Sequence, residues 1–263
     1  MDELRKLIGQ YDPYYEMSDD SSAYRRGSLI NSRIRALAAQ LRAQGHGPEI
    51  DALAAQYPLG GARFILLDGT AAGSPQRAFL QRVLQAVPHP VEVVKLGSLT
   101  EIMNGLAEEM KKRAEAADAE AAPPTFLIIH TLQKYSRLRY EEDFSLSSDA
   151  AAPANPAAVL NNLVCEGTRL GFHVIASCDT YNNVNRFLSR KALSEFEMRV
   201  LFQMSANDSA SLIDSPKASL LGLHRALFFN EQEGHLETFR PYALPAGEWI
   251  DYAARNLARL LAR

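Results

Sequence analysis

The chain has 263 residues, of which 47% are hydrophobic and 22% charged, and its formal net charge is -3 at pH 7. This composition is typical of a globular domain, and the charge excludes a general electrostatic attraction to nucleic acid or to an anionic membrane. Two cysteines, Cys165 and Cys178, are too few for a disulfide framework. This cysteine count predicts a reducing, cytoplasmic setting. No apolar run approaches the ~20 residues that cross a bilayer, so we expect no membrane partner.

The N-terminal part of the sequence predicts helices. Residues 28–44, SLINSRIRALAAQLRAQ, place their large apolar side chains on one stripe at helical spacing, and Ser28 is a suitable N-cap. The residues GHGP then end this helix. We therefore expect residues 1–60 to form an N-terminal helical segment, separate from an α/β domain over residues 61–263.

From residue 61 onward, apolar strand patterns alternate with amphipathic helix patterns. Strands are predicted over residues 62–69, 91–96, 125–132, 172–179 and 198–204. Helices are predicted over residues 74–87, 98–117, 157–171, 190–197 and 247–263, with a helical turn at 209–215. In the first two helices Ser74 and Ser98 are the expected N-caps, and Glu101 completes a capping box with Ser98. Residues 224–242 predict a hairpin that turns at Glu233 and Gly234.

The alternation predicts a three-layer fold, with a mainly parallel sheet covered by helices on both faces, followed by a C-terminal hairpin and helix. In such folds, ligands bind where the parallel strands end. The residues at the five predicted strand ends are Asp68 and Gly69, Leu96 and Gly97, His130 and Thr131, residues 177–179, and residues 205–208.

The order of these segments resembles the motor domain of FtsK/SpoIIIE-type DNA translocases, which are RecA-like P-loop ATPases that form rings. RFILLDG stands where that family has the strand after its phosphate-loop helix, and LAEEMKKR resembles its Glu-Met-x-x-Arg helix. TFLIIHTL occupies the place of the acidic strand that holds magnesium. Similar order and spacing continue through EGTRLGFHVIASCDT and MRVLFQMSANDSASLIDSPKASLLGLHRALF.

The nucleotide motifs of the resembled family are degenerate in this chain. A phosphate loop needs G-x-x-x-x-G-K-[ST], and neither Gly-Lys-Ser nor Gly-Lys-Thr occurs here. DGTAAGSP offers Gly69, Gly73 and Ser74 but no lysine, and a helix cap explains it equally. We therefore expect no confident cofactor site, and ATP–Mg binding only if the phosphate loop is supplied elsewhere. The six histidines are dispersed and no C-x-x-C occurs, so we expect no metal site.

Four positions match functional residues of the family. Three of them carry a different residue type, and the fourth, Arg199, keeps the arginine without a nucleotide motif beside it. His130 and Thr131 stand where the acidic pair is expected, and a neutral imidazole is a poor magnesium ligand. For His130 the alternatives are a catalytic base and a hydrogen-bonded structural residue. For Cys178, in the place of a glutamine, they are a nucleophile and a structural thiol. Arg199 matches an arginine that reaches a neighbouring subunit, or else forms a salt bridge, with Glu195 or Glu197 as the expected partner.

DNA is the substrate that the resemblance implies, and two basic clusters are candidate phosphate contacts. The first contains Arg25 and Arg26, with Arg33 and Arg35 nearby, and the second contains Lys134, Arg137 and Arg139. Tyrosines interleave the second cluster, as in surfaces that stack on bases. The alternative is an ordinary exposed basic helix face.

The expected function is that of a pseudo-ATPase module, structural or regulatory, in a DNA-translocating ring that contains related ATPase subunits, in homo- or hetero-oligomers. Two alternatives stay open. The chain is a fragment of an active DNA translocase whose phosphate loop lies outside it, or it is an accessory domain of a protein-secretion motor.

Overall fold

The computed structural model describes residues 56–57, 59–116, 122–140, 155–241 and 247–261. The helix predicted over residues 28–44 and the first basic cluster lie outside these ranges. The boundary between residues 1–60 and 61–263 therefore stays a prediction.

Four parallel strands form the main sheet. They are β1 (Arg63–Asp68), β2 (Val91–Val93), β3 (Thr125–His130) and β4 (Phe172–Ala176), in the order β2-β1-β3-β4. Every residue of β3 is buried, as expected for a parallel strand covered on both faces. The predicted α/β fold with a parallel sheet is confirmed.

Helices cover both faces of this sheet. In chain order they are α1 (Pro75–Ala86), α2 (Leu99–Glu115), α3 (Pro156–Glu166), α4 (Tyr181–Phe187), α5 (Arg190–Ser194), α6 (Ala206–Ile213) and α7 (Gly247–Leu261). Along β1, Phe64 and Leu66 pack in one apolar cluster with residues of α1 and α7. Ile65 and Leu67 pack in a second cluster with residues of α2 and α3. The alternation along one strand thus builds the two outer layers.

Of the two predicted helix N-caps, one is present in the structure and the other is not. The Ser74 hydroxyl accepts a hydrogen bond from the Arg77 N–H at 3.2 Å, so the predicted cap of α1 is confirmed. The predicted capping box at Ser98 is wrong, since its side chain makes no cap bond. The reason is local geometry: Ser98 ends a 3₁₀ turn, Leu96–Ser98, and does not adopt the extended backbone that a capping serine needs.

A second, antiparallel sheet holds the later strands. β5 (Met198–Leu201), β6 (Ala226–Asn230) and β7 (His235–Phe239) lie in the order β5-β6-β7, and β6 and β7 form the predicted hairpin. β5 pairs antiparallel with β6, so the expectation that this strand belongs to the parallel sheet is wrong. The expectation that residues 205–208 lie with the other strand ends stays a prediction.

The second sheet has an apolar cluster of its own, which explains why β5 lies there. That cluster is built on Leu201, Ile213, Ala218, Leu221 and Leu227. Its members come from β5, α6, the 3₁₀ turn Pro216–Leu220 with the residue that follows it, and β6. Helix α4 was not predicted from the sequence, because its residues YNNVNRF show little apolar periodicity. Its N-cap is Thr180, whose hydroxyl accepts from the Asn183 N–H at 3.2 Å.

Candidate functional site

The carboxyl ends of β1, β3 and β4 bring Gly69, Thr131 and Ser177 together. Gly69 is buried, and a Cβ added there would collide with the Thr131 hydroxyl oxygen and the His130 carbonyl oxygen. Only glycine lets the chain leave β1 so close to the end of β3. The sequence had grouped these strand ends, and the structure places them at one edge.

Asp68 is the carboxylate at the end of β1. Its side chain is 5% exposed and lies 3.3 Å from the Arg77 guanidinium, in the first turn of α1. It also accepts a hydrogen bond from the Thr70 N–H at 2.8 Å. The carboxylate is thereby neutralised and bonded within the chain, and it keeps the loop after β1 folded back on itself.

The loop after β1 contains the weak phosphate-binding candidates Gly69, Gly73 and Ser74. Gly73 has a φ of 73°, which glycine adopts readily. The Ser74 hydroxyl is engaged in capping α1, and the Ser74 N–H donates to the Ala71 carbonyl at 3.2 Å. The helix-cap interpretation therefore accounts for Ser74, and it gives this serine no free hydroxyl for a phosphate.

Lys134 is bound to this loop, a contact that the sequence did not indicate. Its Nζ donates to the Gly69 carbonyl oxygen at 2.6 Å, from the 3₁₀ turn Leu132–Lys134 after β3. Only the adjacency of β1 and β3 in the sheet brings the two segments together, and no local pattern encodes that adjacency. The lysine remains exposed, so its charge still contributes to the surface.

His130, Thr131 and Ser177 form a small hydrogen-bonded network between β3 and β4. His130 is 8% exposed, and its Nδ1 lies 3.3 Å from the Ser177 Oγ. The same Oγ accepts from the Thr131 N–H at 2.9 Å. Thr131 has a φ of 58°, an unusual conformation for a β-branched residue, and its hydroxyl donates to the His130 carbonyl. These contacts support the structural alternative for His130.

Cys178 follows this network and is half-buried. Burial raises the pKa of its thiol above the ordinary value, an effect that a backbone hydrogen bond from Thr180 offsets only in part, and the neighbouring Asp179 charge also raises it. A thiol with a raised pKa stays protonated near neutral pH, whereas a nucleophilic cysteine requires the thiolate. The structure thus gives no activation to Cys178.

The tyrosines of the second basic cluster differ in exposure. Tyr135 is 3% exposed, so the expectation that it stacks on bases is wrong. Its pKa is raised by burial and by the charge of Asp68. Tyr140 is half-buried. The apolar neighbours of Tyr135 in the cluster beneath β1 explain why this ring turns inward.

The cations of the second basic cluster are exposed at the carboxyl edge. They lie on or beside two consecutive 3₁₀ turns, Leu132–Lys134 and Ser136–Leu138. Arg137 donates to the Thr100 hydroxyl at 3.1 Å. Within the described ranges, Arg139 makes no ion pair. Arg25 and Arg26 lie outside the described residues, so their part in this surface stays a prediction.

Arg199 lies on β5 of the second sheet, and three groups of the same chain bind its side chain. Its guanidinium donates to the carbonyls of Leu212 at 2.6 Å and Leu193 at 3.2 Å, and it pairs with Glu231 at 2.8 Å. Its side chain is 15% exposed. The predicted salt bridge is present, but its partner is Glu231 rather than Glu195 or Glu197, because β5 and β6 pair side by side.

In the part of the chain that the structure describes, no group of three or more His, Cys, Asp or Glu side chains is placed to hold a metal ion. No helix in that part combines the length and the apolar character that a bilayer crossing requires.

No protein-family model matches the sequence, and no curated protein matches it. Solved structures do match. The cytoplasmic domain of the type VII secretion ATPase EccC from Thermomonospora curvata shares 16% identity with a TM-score of 0.52, over 85% of this chain and 27% of that one. The DNA-packaging ATPase B204 of Sulfolobus turreted icosahedral virus is 13% identical to this chain and has a TM-score of 0.49. The match covers 80% of this chain and 95% of that one.

A third match is the genome-packaging NTPase B204 of Sulfolobus turreted icosahedral virus 2, with 14% identity and a TM-score of 0.46, over 75% of this chain and 88% of that one. At such identities, a likeness shows the fold and nothing further. The fold of the chain is the α/β fold of the EccC ATPase, of which it spans 27%.

Proposed function

We propose that the chain is an ATPase-fold module that acts structurally or regulatorily in a DNA-translocating ring assembly, beside related ATPase subunits, and does not itself hydrolyse ATP. The observation that best supports this proposal is that the Asp68 carboxylate is already bonded within the chain. The only carboxylate directly at the end of β1 or β3 is bonded to Arg77 and to the Thr70 N–H. Both contacts stabilise the fold of this sheet edge, so the carboxylate is not free to bind a metal ion.

The residues at the edge do not fit a magnesium–triphosphate group. A phosphate loop supplies free N–H groups, a lysine and a hydroxyl, and a carboxylate holds the metal. Here the Ser74 hydroxyl caps α1, and Lys134 is bonded to the Gly69 carbonyl. ATP–Mg binding therefore requires a phosphate loop from elsewhere.

The exposed cations support the choice of DNA as the partner. Lys134, Arg137 and Arg139 follow β3 directly and project at the edge where parallel sheets bind ligands. Such a patch provides local attraction to phosphates although the whole chain is weakly acidic. Arg25 and Arg26 are proposed to add to this surface.

Two titrations test the proposal. In calorimetry, ATP with magnesium should give no saturable heat. In a mobility-shift assay, duplex DNA should bind with an affinity that falls steeply as salt rises. The double variant Arg137→Ala, Arg139→Ala should reduce the slope of log affinity against log salt by about 2, since each lost phosphate contact removes about 1.

Arg169→Ala is the matched control for the DNA experiment. Arg169 is an exposed arginine on the 3₁₀ turn that precedes β4, at the opposite end of the sheet, and its loss should leave the slope unchanged. Saturable ATP binding that Ser74→Ala or Ser28→Ala abolishes would instead establish a nucleotide site. That result would overturn the proposal.

A protein-secretion motor is the second candidate setting. It is favoured by the match to EccC, the structure with the highest TM-score among the three compared above, whose name identifies a secretion ATPase. In that setting the chain would be an accessory domain that handles polypeptide. A duplex-DNA shift that weakens steeply as salt rises, with a smaller slope in the double variant, favours the translocase setting, and no shift at any salt favours secretion. The fragment alternative predicts that a longer polypeptide restores ATP binding.

A further inference from the structure

A cleft that none of the nucleotide-motif positions lines lies between α4, α5 and α6. Its volume is about 570 Å³. Protein pockets that hold small organic groups commonly have volumes of roughly 300–1,000 Å³. Its walls include Tyr140, the residue that follows the second basic cluster, and Ser211 of α6. The cleft is thus large enough to hold a ligand of its own.

Helical spacing brings different kinds of side chain to the cleft. Tyr181 and Asn185 are four residues apart on α4, and Arg190 and Leu193 are three residues apart on α5, so each pair shares one helix face. Leu188, between the two helices, is 7% exposed and also lines the cleft. The cleft therefore combines aromatic rings, an amide and one cation with apolar leucine surface.

Buried polar bonds fix the turn between α4 and α5, so the cleft is preformed. Asn161 of α3 is 6% exposed. Its side-chain amide donates to the Phe187 carbonyl at 3.2 Å and accepts from the Ser189 N–H at 2.7 Å. On another side of the cleft, the Tyr140 N–H donates to the Arg186 carbonyl at 2.9 Å. A ligand therefore loses little affinity to ordering this part of the chain.

The polar side chains of the cleft are available to a ligand. Within the described residues, no hydrogen bond or ion pair engages the side chains of Tyr140, Tyr181, Asn185 and Arg190. Arg190 is exposed and carries the only charge among the lining residues. A cation beside aromatic rings favours a ligand that has both a planar ring and an anionic group.

The second basic cluster continues into the cleft, which indicates an anion longer than one small molecule. Arg139 directly precedes Tyr140, and the backbone bond of Tyr140 brings this segment beside Arg186 in the last turn of α4. Arg139, Arg186 and Arg190 are all exposed, and none of them forms an ion pair within the described ranges. Several exposed cations can contact several phosphates of one strand, which an isolated nucleotide does not offer.

The geometry points to an unpaired base of a single-stranded nucleic acid as the group that this cleft binds. The base stacks on the tyrosines, and its flanking phosphates lie on Arg139 and Arg190. A base inside a duplex is paired and stacked, so it has to leave the helix before it enters such a cleft. Because every base has a face that stacks, we expect little sequence preference. This inference rests on the proposed function, since it takes DNA as the partner and the second basic cluster as its phosphate contact.

A fluorescent base tests the inference on the full, unsubstituted chain. The probe is a thymidine strand of about 16 nucleotides with one central 2-aminopurine. It should bind saturably, and its emission should fall as the base stacks on a tyrosine ring. Thymidine monophosphate at the same nucleotide concentration should not displace it, because one phosphate cannot replace the contacts of a strand.

Variants of the cleft separate stacking from charge. Tyr181→Leu should weaken single-strand binding by about tenfold or more, and Tyr181→Phe, which keeps the ring, should bind as the unsubstituted chain does. Arg190→Gln should reduce the slope of log affinity against log salt by about 0.7. Tyr252→Leu is the matched control, since Tyr252 is an exposed tyrosine of α7 outside the cleft, and it should change nothing. Fluorescence anisotropy of the labelled strand measures all four.

Four results would overturn the inference. They are equal single-strand affinity of Tyr181→Leu and the unsubstituted chain, unchanged 2-aminopurine emission on binding, displacement by thymidine monophosphate, and self-association of the chain that Tyr181→Leu abolishes. The last would identify a second copy as the occupant. If Tyr181→Leu does not fold, the 2-aminopurine emission still decides the question.

Duplex DNA, titrated in parallel, distinguishes the failure of this inference from the failure of the proposed function. Duplex binding with the salt dependence expected above, but without single-strand binding, overturns this inference alone. Absence of binding to either form overturns the choice of DNA as the partner as well.

Discussion

Asp68 at the end of β1 and Arg77 in the first turn of α1 form an ion pair of 3.3 Å, in which the carboxylate is 5% exposed and the guanidinium 38%. The pair joins the sheet edge to the first helix. Since the Asp68 carboxylate also accepts the Thr70 N–H, one side chain fixes both ends of the connecting loop. The edge is therefore held together by internal charge compensation.

Asp68→Asn should lower the free energy of unfolding by about 1–3 kcal/mol, because the variant removes a charge-assisted contact at a largely buried oxygen. Urea denaturation measures this loss. Asp251→Asn is the matched control, since Asp251 pairs with Arg82 at 2.9 Å with both side chains about half exposed. That exposed pair should contribute about 0–1 kcal/mol. Equal losses in the two variants would contradict the role given to Asp68.

Gly69→Ala and Gly105→Ala should change stability in opposite directions. At Gly69 the new methyl group collides with the Thr131 side chain and the His130 backbone, so we expect a loss of about 2 kcal/mol or more. Gly105 is exposed within α2 and has open space around it, so alanine there should add about 0.5–1 kcal/mol. Thermal and urea unfolding of the two variants check the signs, and stabilisation by Gly69→Ala would refute the close approach of β1 to β3.

His173 should make the folded state sensitive to mild acid. Burial lowers its pKa below the ordinary 6.5, so the folded state binds fewer protons at this site than the unfolded state. The contribution is fully present above pH 6.5 and is lost as the pH falls through the lowered folded-state pKa. His173→Phe, which keeps a ring against Phe126, should flatten the decline in unfolding free energy just below pH 6.5. His224→Asn, at an exposed histidine, should leave that decline unchanged.

Cys178 should react slowly with iodoacetamide. Its raised thiol pKa and half-buried position predict alkylation at least about tenfold slower than that of free cysteine at pH 8. The measurement uses the Cys165→Ser variant, so that only Cys178 reacts, and the same protein in urea gives the unprotected rate. A folded-state rate above that of free cysteine would point to a thiolate and revive a nucleophilic role.

Local sequence patterns predicted the strands and helices around the site well. The continuous apolar runs of β1 and β3 and the Ser-Pro start of α1 are signals that a few neighbouring residues carry. The grouping of Asp68 and Gly69 with His130 and Thr131 at one edge followed from parallel strand direction alone. For these elements, local propensity and burial agree with the fold.

The interactions that the sequence did not predict all depend on which strands are neighbours. Lys134 reaches Gly69 because β1 lies beside β3, and Arg199 reaches Glu231 because β5 lies beside β6. Tyr135 looked like an exposed ring between cations, but it points into the apolar cluster under β1. Spacing along the chain does not encode these contacts, since each is set by packing between distant segments.

Helix α7 supplies Ile250, which is 1% exposed, to the apolar cluster around Phe64 in β1. During synthesis from the N-terminus, β1 leaves the ribosome long before residue 250 has been translated. Until then, α1 covers that face of the parallel sheet without α7, and the apolar surface that Ile250 later buries stays exposed in the nascent chain. The order of residues along the chain thus makes the docking of α7 a late step in folding during synthesis.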